Sequence, residues 1–132
     1  MEQNILDYTL HALRGVLAID SPTGFTKNAA AWVRDAFAQL GFDANLTTKG
    51  GVLVDLGGEN AEDALFLQAH ADTLGCMVAE VKGNGRLRLT NLGGMNPYNA
   101  EAENVRVYTR SGRVIDGTCQ LCNASIHVNL EY

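Results

Sequence analysis

The stretch Ala64-Leu65-Phe66-Leu67-Gln68-Ala69-His70-Ala71-Asp72-Thr73-Leu74-Gly75 decides the fold predicted for this chain. Its first six residues form an almost continuous apolar run, which is typical of a strand buried on both faces of a sheet. Side chains two residues apart on a strand point to the same side. We therefore predict a buried strand over residues 64–70, with the His70 imidazole and the Asp72 carboxylate close together at its end.

The segments before this stretch predict two helices. Apolar residues recur at spacings of three and four over residues 3–18 and again over 25–40, which gives each segment one apolar face. Between them, the turn-forming residues 20–24 (Asp-Ser-Pro-Thr-Gly) interrupt the helical pattern. Thr23 or Thr26 is the candidate cap of the second helix.

The remaining segments predict strands. Residues 42–46 alternate between apolar and polar, and residues 52–56 form a short apolar run. After residue 75 the pattern is that of two hairpins with glycine-containing turns, and no segment has a helical period. The predicted hairpin strands are Met77–Val81 with Arg86–Leu89 and Val105–Tyr108 with Val114–Asp116, followed by a last short strand over Ser125–Val128. The chain is thus predicted to be α/β, with one part over residues 1–75 and a β-rich part over 76–132.

Composition excludes several classes of protein. The chain has 132 residues, of which 46% are hydrophobic and 19% charged, and its net charge is -5. This balance supports a hydrophobic core, and the scattered basic residues predict no nucleic-acid surface. No secretory signal and no apolar run of ~18 residues is present, so no membrane association is expected. Three cysteines, an odd number, indicate a reducing, cytoplasmic setting.

His70 and Asp72 are the leading candidates for chemistry. A neutral imidazole is a common zinc ligand, and such a ligand usually needs a carboxylate or carbonyl to fix its tautomer. From the residues alone a structural role fits equally well, with His70 hydrogen-bonded at a strand end and Asp72 beginning a turn.

The other candidate sites have weaker patterns. Cys119 and Cys122 form a C-x-x-C pair, which suits a zinc knuckle or a redox pair, but only Cys76 and His127 remain to complete a zinc site. Two ordinary cysteines are therefore the preferred interpretation. His11 lies in an amphipathic helix and is expected to be solvated.

Three motifs in their order give the chain a family resemblance. They are Asp20-Ser21-Pro22-Thr23-Gly24 between the two helices, His70-Ala71-Asp72-Thr73-Leu74-Gly75, and Leu87-Arg88-Leu89-Thr90-Asn91-Leu92-Gly93-Gly94 at the end of the first hairpin. The chain resembles the N-terminal portion of the M42 metallo-aminopeptidases, the glutamyl- and deblocking-aminopeptidase group. One departure is Gly50-Gly51, where relatives tend to have Gly-Asn.

The resemblance implies a function for the two leading candidates. It implies that residues 1–75 belong to an α/β catalytic domain and residues 76–132 to an inserted β-rich dimerisation domain. His70 would be a metal ligand and Asp72 the catalytic-site acid that orients it, in a site holding two zinc or cobalt ions that hydrolyses N-terminal residues of peptides. The other ligands would lie downstream, so the chain is expected to be an inactive piece of a homo-oligomeric enzyme. The alternative is a non-catalytic β-rich module for oligomerisation or peptide binding.

Overall fold

A computed structural model describes residues 2–60 and 62–120 of the chain. The chain divides into two compact units, Met1–Gly93 and Gly94–Tyr132. The first unit contains both helices and four strands, and the second contains a short 3-10 turn and two strands. The mixed α/β class predicted from the sequence is therefore confirmed, with small antiparallel sheets.

Two helices begin the first unit. Helix α1 spans Glu2–Leu17 and helix α2 spans Lys27–Gln39, both within two residues of the predicted bounds. The Trp32 indole of α2 lies against the backbone of Gly15 in α1. Ala29 and Ala30, on α2, are the buried hydrophobic residues of the described chain. Thr26 occupies the N-cap position of α2, but its side chain makes no capping hydrogen bond.

A small hairpin packs against α2. Strand β1 (Ala44–Leu46) pairs antiparallel with strand β2 (Val52–Val54), and both contact the helix. The chain reaches this hairpin through Phe42, whose ring meets that of Phe37 edge to face at a centroid distance of 6.3 Å. Edge-to-face geometry is the favoured arrangement of two aromatic rings. The contact ties the end of α2 to the start of the hairpin.

A longer hairpin forms the last part of the first unit, and it confirms the first predicted hairpin. Strand β3 (Gly75–Val81) pairs antiparallel with strand β4 (Leu87–Leu92), and the register shifts between Val78 and Glu80. Arg88 forms an ion pair with Glu80 across the two strands, at 3.1 Å. Most apolar side chains of this hairpin are exposed, including Met77 and Val81.

The second unit confirms the second predicted hairpin. Strand β5 (Asn104–Tyr108) pairs antiparallel with strand β6 (Val114–Thr118). The 3-10 turn Pro97–Ala100 precedes them, with the Asn96 side chain accepting a hydrogen bond from the Tyr98 amide at its start. The sequence pattern did not predict this helical turn, because its single turn is too short to show a period.

The strand predicted over residues 64–70 is wrong. These residues form no strand, and the side chains of Leu65, Phe66 and Leu67 are 84%, 73% and 72% exposed. A strand buried on both faces needs a neighbouring strand for its backbone and a layer of side chains on each face. No strand of the described residues pairs with this segment, so its apolar side chains are not covered by a neighbouring strand.

Some predictions stay untested. The boundary after residue 75, between a catalytic and an inserted domain, stays a prediction. The last strand, over Ser125–Val128, and His127 lie outside the described residues. Among the residues that are described, no helix is both long and apolar enough to cross a membrane.

The exposure of residues 65–67 predicts that substitutions there have little effect on the free energy of unfolding. Phe66→Ser is expected to change the free energy of unfolding of the chain by no more than about 0.5 kcal/mol, because surface substitutions usually have effects of this size. Ala29→Leu, at a position with 0% exposure, is expected to cost about 1–3 kcal/mol by overpacking. Urea unfolding followed by circular dichroism measures both. A loss of about 3 kcal/mol or more in Phe66→Ser would contradict the exposed position of this segment.

Candidate functional site

The predicted site residues lie where two distant segments meet, residues 21–24 and residues 70–75, which we call the junction. The Ser21 hydroxyl donates a hydrogen bond to the carbonyl oxygen of Ala71 at 2.8 Å, and the amide of Thr73 donates to the carbonyl oxygen of Ser21 at 2.9 Å. Pro22 and Thr73 form an isolated parallel β-bridge. Ser21 is only 1% exposed. The junction therefore has a buried serine that bonds the other segment through both its side chain and its backbone.

A glycine permits this close approach. Gly75 is the first residue of β3, and a β-carbon built on it would lie 2.5 Å from the β-carbon of Pro22. Real β-carbons do not come that close, so any other residue at this position would push the two segments apart. The glycine that ends the His70–Gly75 motif thus has a packing role against the proline of the other motif.

A tight turn places Thr23 in the junction. The Phe25 amide donates to the carbonyl oxygen of Pro22 at 2.7 Å, which closes a four-residue turn. Gly24, the third residue of that turn, has φ 87°. A positive φ at the third position is the mark of a type II turn and favours glycine there. Thr23, at the second position, is thereby held facing the other segment.

The Asp72 carboxylate connects Thr23 to His70. The Thr23 hydroxyl donates to Oδ2 of Asp72 at 2.6 Å. Nδ1 of His70 lies 3.1 Å from Oδ1 of Asp72 and 3.1 Å from the backbone carbonyl oxygen of the same residue. The His70 side chain is 84% exposed. Both neighbours of Nδ1 are acceptors, so the neutral ring carries its hydrogen on Nδ1 and leaves a lone pair on Nε2.

These contacts alter the acidity of Asp72. The hydrogen bond from the Thr23 hydroxyl is the main cause that holds the pKa of the Asp72 carboxyl below its ordinary value, with partial desolvation opposing it. The hydrogen bond and charge of His70 lower the pKa of Asp72 further. Asp72 is therefore an ionised acceptor under ordinary conditions, as the orientation of an imidazole requires.

The sequence predicted that His70 and Asp72 lie close together, but it did not predict that Thr23 would bond Asp72 or that Ser21 would bond the residues on either side of it. Their side chains do meet, although no strand precedes them. Ser21 was predicted as part of a turn between helices, and Thr23 as part of that turn or as the cap of the second helix. The turn residues were a visible signal, but nothing local showed that this turn would bond a segment 49 residues further along.

The described residues provide no metal-ligand group for the zinc-knuckle interpretation of the cysteines. Neither Cys76 nor Cys119 forms a disulfide with another described cysteine, and the thiol of Cys76 lies 3.8 Å from Oδ1 of Asn91. Cys119 follows β6, and its amide bonds the Glu103 carbonyl. Cys122 lies outside the described residues. Within residues 2–60 and 62–120, no group of three or more His, Cys, Asp or Glu side chains could hold a metal ion.

The lowered pKa of Asp72 predicts a pH dependence of stability. A carboxyl whose pKa is lower in the folded state contributes stability that is present above its unfolded pKa and is lost as pH falls through its folded pKa. The wild-type chain is therefore expected to lose stability relative to Asp72→Asn across that acidic window. Thermal unfolding midpoints of both chains, measured from neutral to strongly acidic pH, provide the comparison. A difference that stays constant with pH would contradict the lowered pKa.

Comparison with known proteins supports the family resemblance. The family model of the M42 glutamyl aminopeptidases matches residues 50–131. A Bacillus subtilis (strain 168) protein named "Putative aminopeptidase YhfE" is 32% identical over 120 residues, which are 91% of this chain and 35% of that protein. The glutamyl aminopeptidase of Lactococcus lactis subsp. cremoris (strain MG1363) is 28% identical over 105 residues, or 78% of this chain and 29% of that protein.

The chain spans about a third of the length of these two curated relatives. The matched region contains His70, Asp72 and both long hairpins, and the family match covers more than half of the chain. On these grounds the chain belongs to the M42 glutamyl aminopeptidase family.

Proposed function

We propose that this protein is part of a metal-dependent aminopeptidase, which hydrolyses N-terminal residues of peptides at a centre of two divalent metal ions. In this proposal His70 is a metal ligand and Asp72 is the acid that orients it. The observation that supports the proposal is the contact of His70 Nδ1 with Asp72 Oδ1 at 3.1 Å on a ring that is 84% exposed. The names of the two relatives supply the class of reaction.

The residues of the junction fit the proposed ligand role. A ligating histidine typically donates its second ring N–H to a carboxylate or a backbone carbonyl, and His70 has both acceptors at hydrogen-bond distance. The exposed ring leaves Nε2 accessible, with its lone pair directed away from Asp72. Histidine and carboxylate ligands accept zinc, cobalt or manganese, and we propose zinc or cobalt.

The number of ligands bears on the activity of the chain alone. A catalytic zinc ion takes about three protein ligands, and a two-metal site takes more. The described residues contribute His70 without a second and third ligand group beside it. We propose that the 132-residue chain alone is inactive, and that other parts of a complete enzyme supply the remaining ligands and the general base.

The contribution of this chain to the reaction would be to hold one ligand in place. Bound divalent ions would supply Lewis-acid polarisation of the scissile carbonyl. Asp72 accepts the Nδ1 hydrogen of His70 and fixes the ring tautomer. Thr23 and the backbone of Asp72 limit rotation of these two side chains. A cytoplasmic location, inferred from the cysteine count, stays a prediction.

A second candidate function is a non-catalytic, β-rich module that joins copies of the protein. It is favoured by the exposed apolar side chains of the β3–β4 hairpin, where Met77 is 57% and Val81 70% exposed. Exposed strand edges and apolar patches favour pairing with another chain. This function is compatible with the first, since we also propose that the complete enzyme is a homo-oligomer.

The ligand role of His70 predicts a local response to metal. When Co²⁺ is titrated into the chain, the ring resonances of His70 are expected to broaden first, because its Nε2 is presented for coordination. His11, an exposed histidine of α1, is the matched control. His70→Asn is expected to abolish the strongest site, whereas His11→Asn leaves it unchanged. Equal broadening of both rings would contradict the proposal.

The same preparation tests the proposed inactivity. Aminoacyl p-nitroanilides with Co²⁺ or Zn²⁺ are expected to show no turnover by the 132-residue chain, since His70, the ligand proposed among the described residues, cannot by itself hold two ions. Turnover that His70→Asn abolishes would contradict the proposal that the chain alone is inactive.

The exposed hairpin predicts self-association. Sedimentation velocity is expected to show species larger than the monomer as the chain is concentrated, because burial of the apolar side chains of β3 and β4 favours association. Met77→Glu combined with Val81→Glu is expected to shift the distribution to monomer. A clean monomer of the wild-type chain at high concentration would contradict the homo-oligomer.

A further inference from the structure

The two oxygens of the Asp72 carboxylate have different partners. Oδ2 accepts the hydrogen bond of the Thr23 hydroxyl at 2.6 Å, and Oδ1 lies 3.1 Å from Nδ1 of His70. The short distance is typical of a strong bond from a hydroxyl to an ionised carboxylate. One oxygen is thus held by the 21–24 segment, while the other is left for the imidazole.

Without the Thr23 hydroxyl, the Asp72 carboxylate would have little to fix its rotation. The last torsion of an aspartate side chain has a broad, roughly two-fold distribution rather than three narrow wells. The other contacts of the carboxylate are the His70 ring, which is 84% exposed, and the backbone of Asp72 itself. The Thr23 hydroxyl makes the shorter of the two printed side-chain contacts of the carboxylate, 2.6 Å against 3.1 Å, and is therefore placed to set the carboxylate plane and direct Oδ1 to Nδ1.

Thr23 is itself rigidly placed. Its turn is closed by the hydrogen bond from the Phe25 amide to the Pro22 carbonyl. Ser21, the residue before this turn, bonds Ala71 and Thr73, which lie on either side of Asp72. The donor and the carboxylate are therefore fixed relative to one another by the backbone.

We propose that Thr23 is a positioning residue, whose hydroxyl orients the Asp72 carboxylate and thereby keeps His70 in the tautomer with hydrogen on Nδ1 and a lone pair on Nε2. Its importance for metal binding rests on the function proposed above, but the effect on the tautomer does not. A purely structural threonine would affect stability and leave the ring tautomer of His70 unchanged.

The test compares three variants of the full chain. Thr23→Val removes the hydroxyl with almost no change of shape, Thr23→Ser keeps it, and Thr26→Val makes the same change three positions on, where the side chain makes no capping bond. Long-range proton–nitrogen spectra of the His70 ring, recorded where the ring is neutral, report the tautomer, with the exposed His11 as an internal reference. Circular dichroism confirms that each variant is folded.

In the wild-type chain, Nε2 of His70 is expected to have the chemical shift of an unprotonated nitrogen. In Thr23→Val that shift is expected to move towards the average of the two tautomers, and in Thr23→Ser it is expected to return to the wild-type value. An unchanged shift in Thr23→Val, or an equal change in Thr26→Val, would overturn the role of Thr23.

Two further outcomes separate this inference from the proposed function. If Co²⁺ does not bind at His70 while Thr23→Val still alters the tautomer, the metal-ligand role fails and the positioning role stands. If Thr23→Val does not fold, the wild-type chain provides the test. Replacing the Thr23 hydroxyl hydrogen by deuterium is expected to shift the Asp72 Cγ resonance, because the hydroxyl donates a hydrogen bond to that carboxylate. The absence of that isotope shift would overturn the proposal.

Discussion

The contact between Ser21 and the segment 71–73 is the constraint on which the candidate site depends. Ser21 is almost fully buried and bonds Ala71 through its hydroxyl and Thr73 through its backbone. Asp72 lies between those two bonded residues, so its backbone is held on both sides. Thr23 can meet the Asp72 carboxylate only because this contact fixes the distance between the two segments. The geometry of His70 follows from the same contact.

Much of the fold could be predicted because it is local. Both helices have apolar residues at spacings of three and four, and both long hairpins have turn-forming residues between strand-like runs. These patterns depend on neighbours along the chain, and the structure reproduces them within about two residues at most ends. The side-chain meeting of His70 and Asp72 was also predictable, since two residues in an extended segment point to the same side.

The rest depended on contacts between distant parts of the chain. The apolar run 64–70 predicted burial, but apolar sequence does not identify the surface that covers it, and no described strand pairs with this run. Thr23 was a plausible helix cap by residue type, yet its hydroxyl bonds Asp72 instead. A threonine hydroxyl suits either acceptor, and only the three-dimensional fold decides between them.

The separation of the two segments has a consequence for how the site forms. Thr23 and Asp72 are 49 positions apart, and closing a flexible loop of that length costs roughly 3.5 kcal/mol of chain entropy. A single hydrogen bond contributes about 0.5–1.5 kcal/mol, so no one bond of the junction offsets the closure. The bonds of Ser21, Thr23 and Thr73 must therefore form together, with the help of α2 and the β1–β2 hairpin that shorten the path between them. Assembly of the site and folding of the intervening chain are one cooperative event, and any ion that binds only the assembled site would shift the folding equilibrium directly.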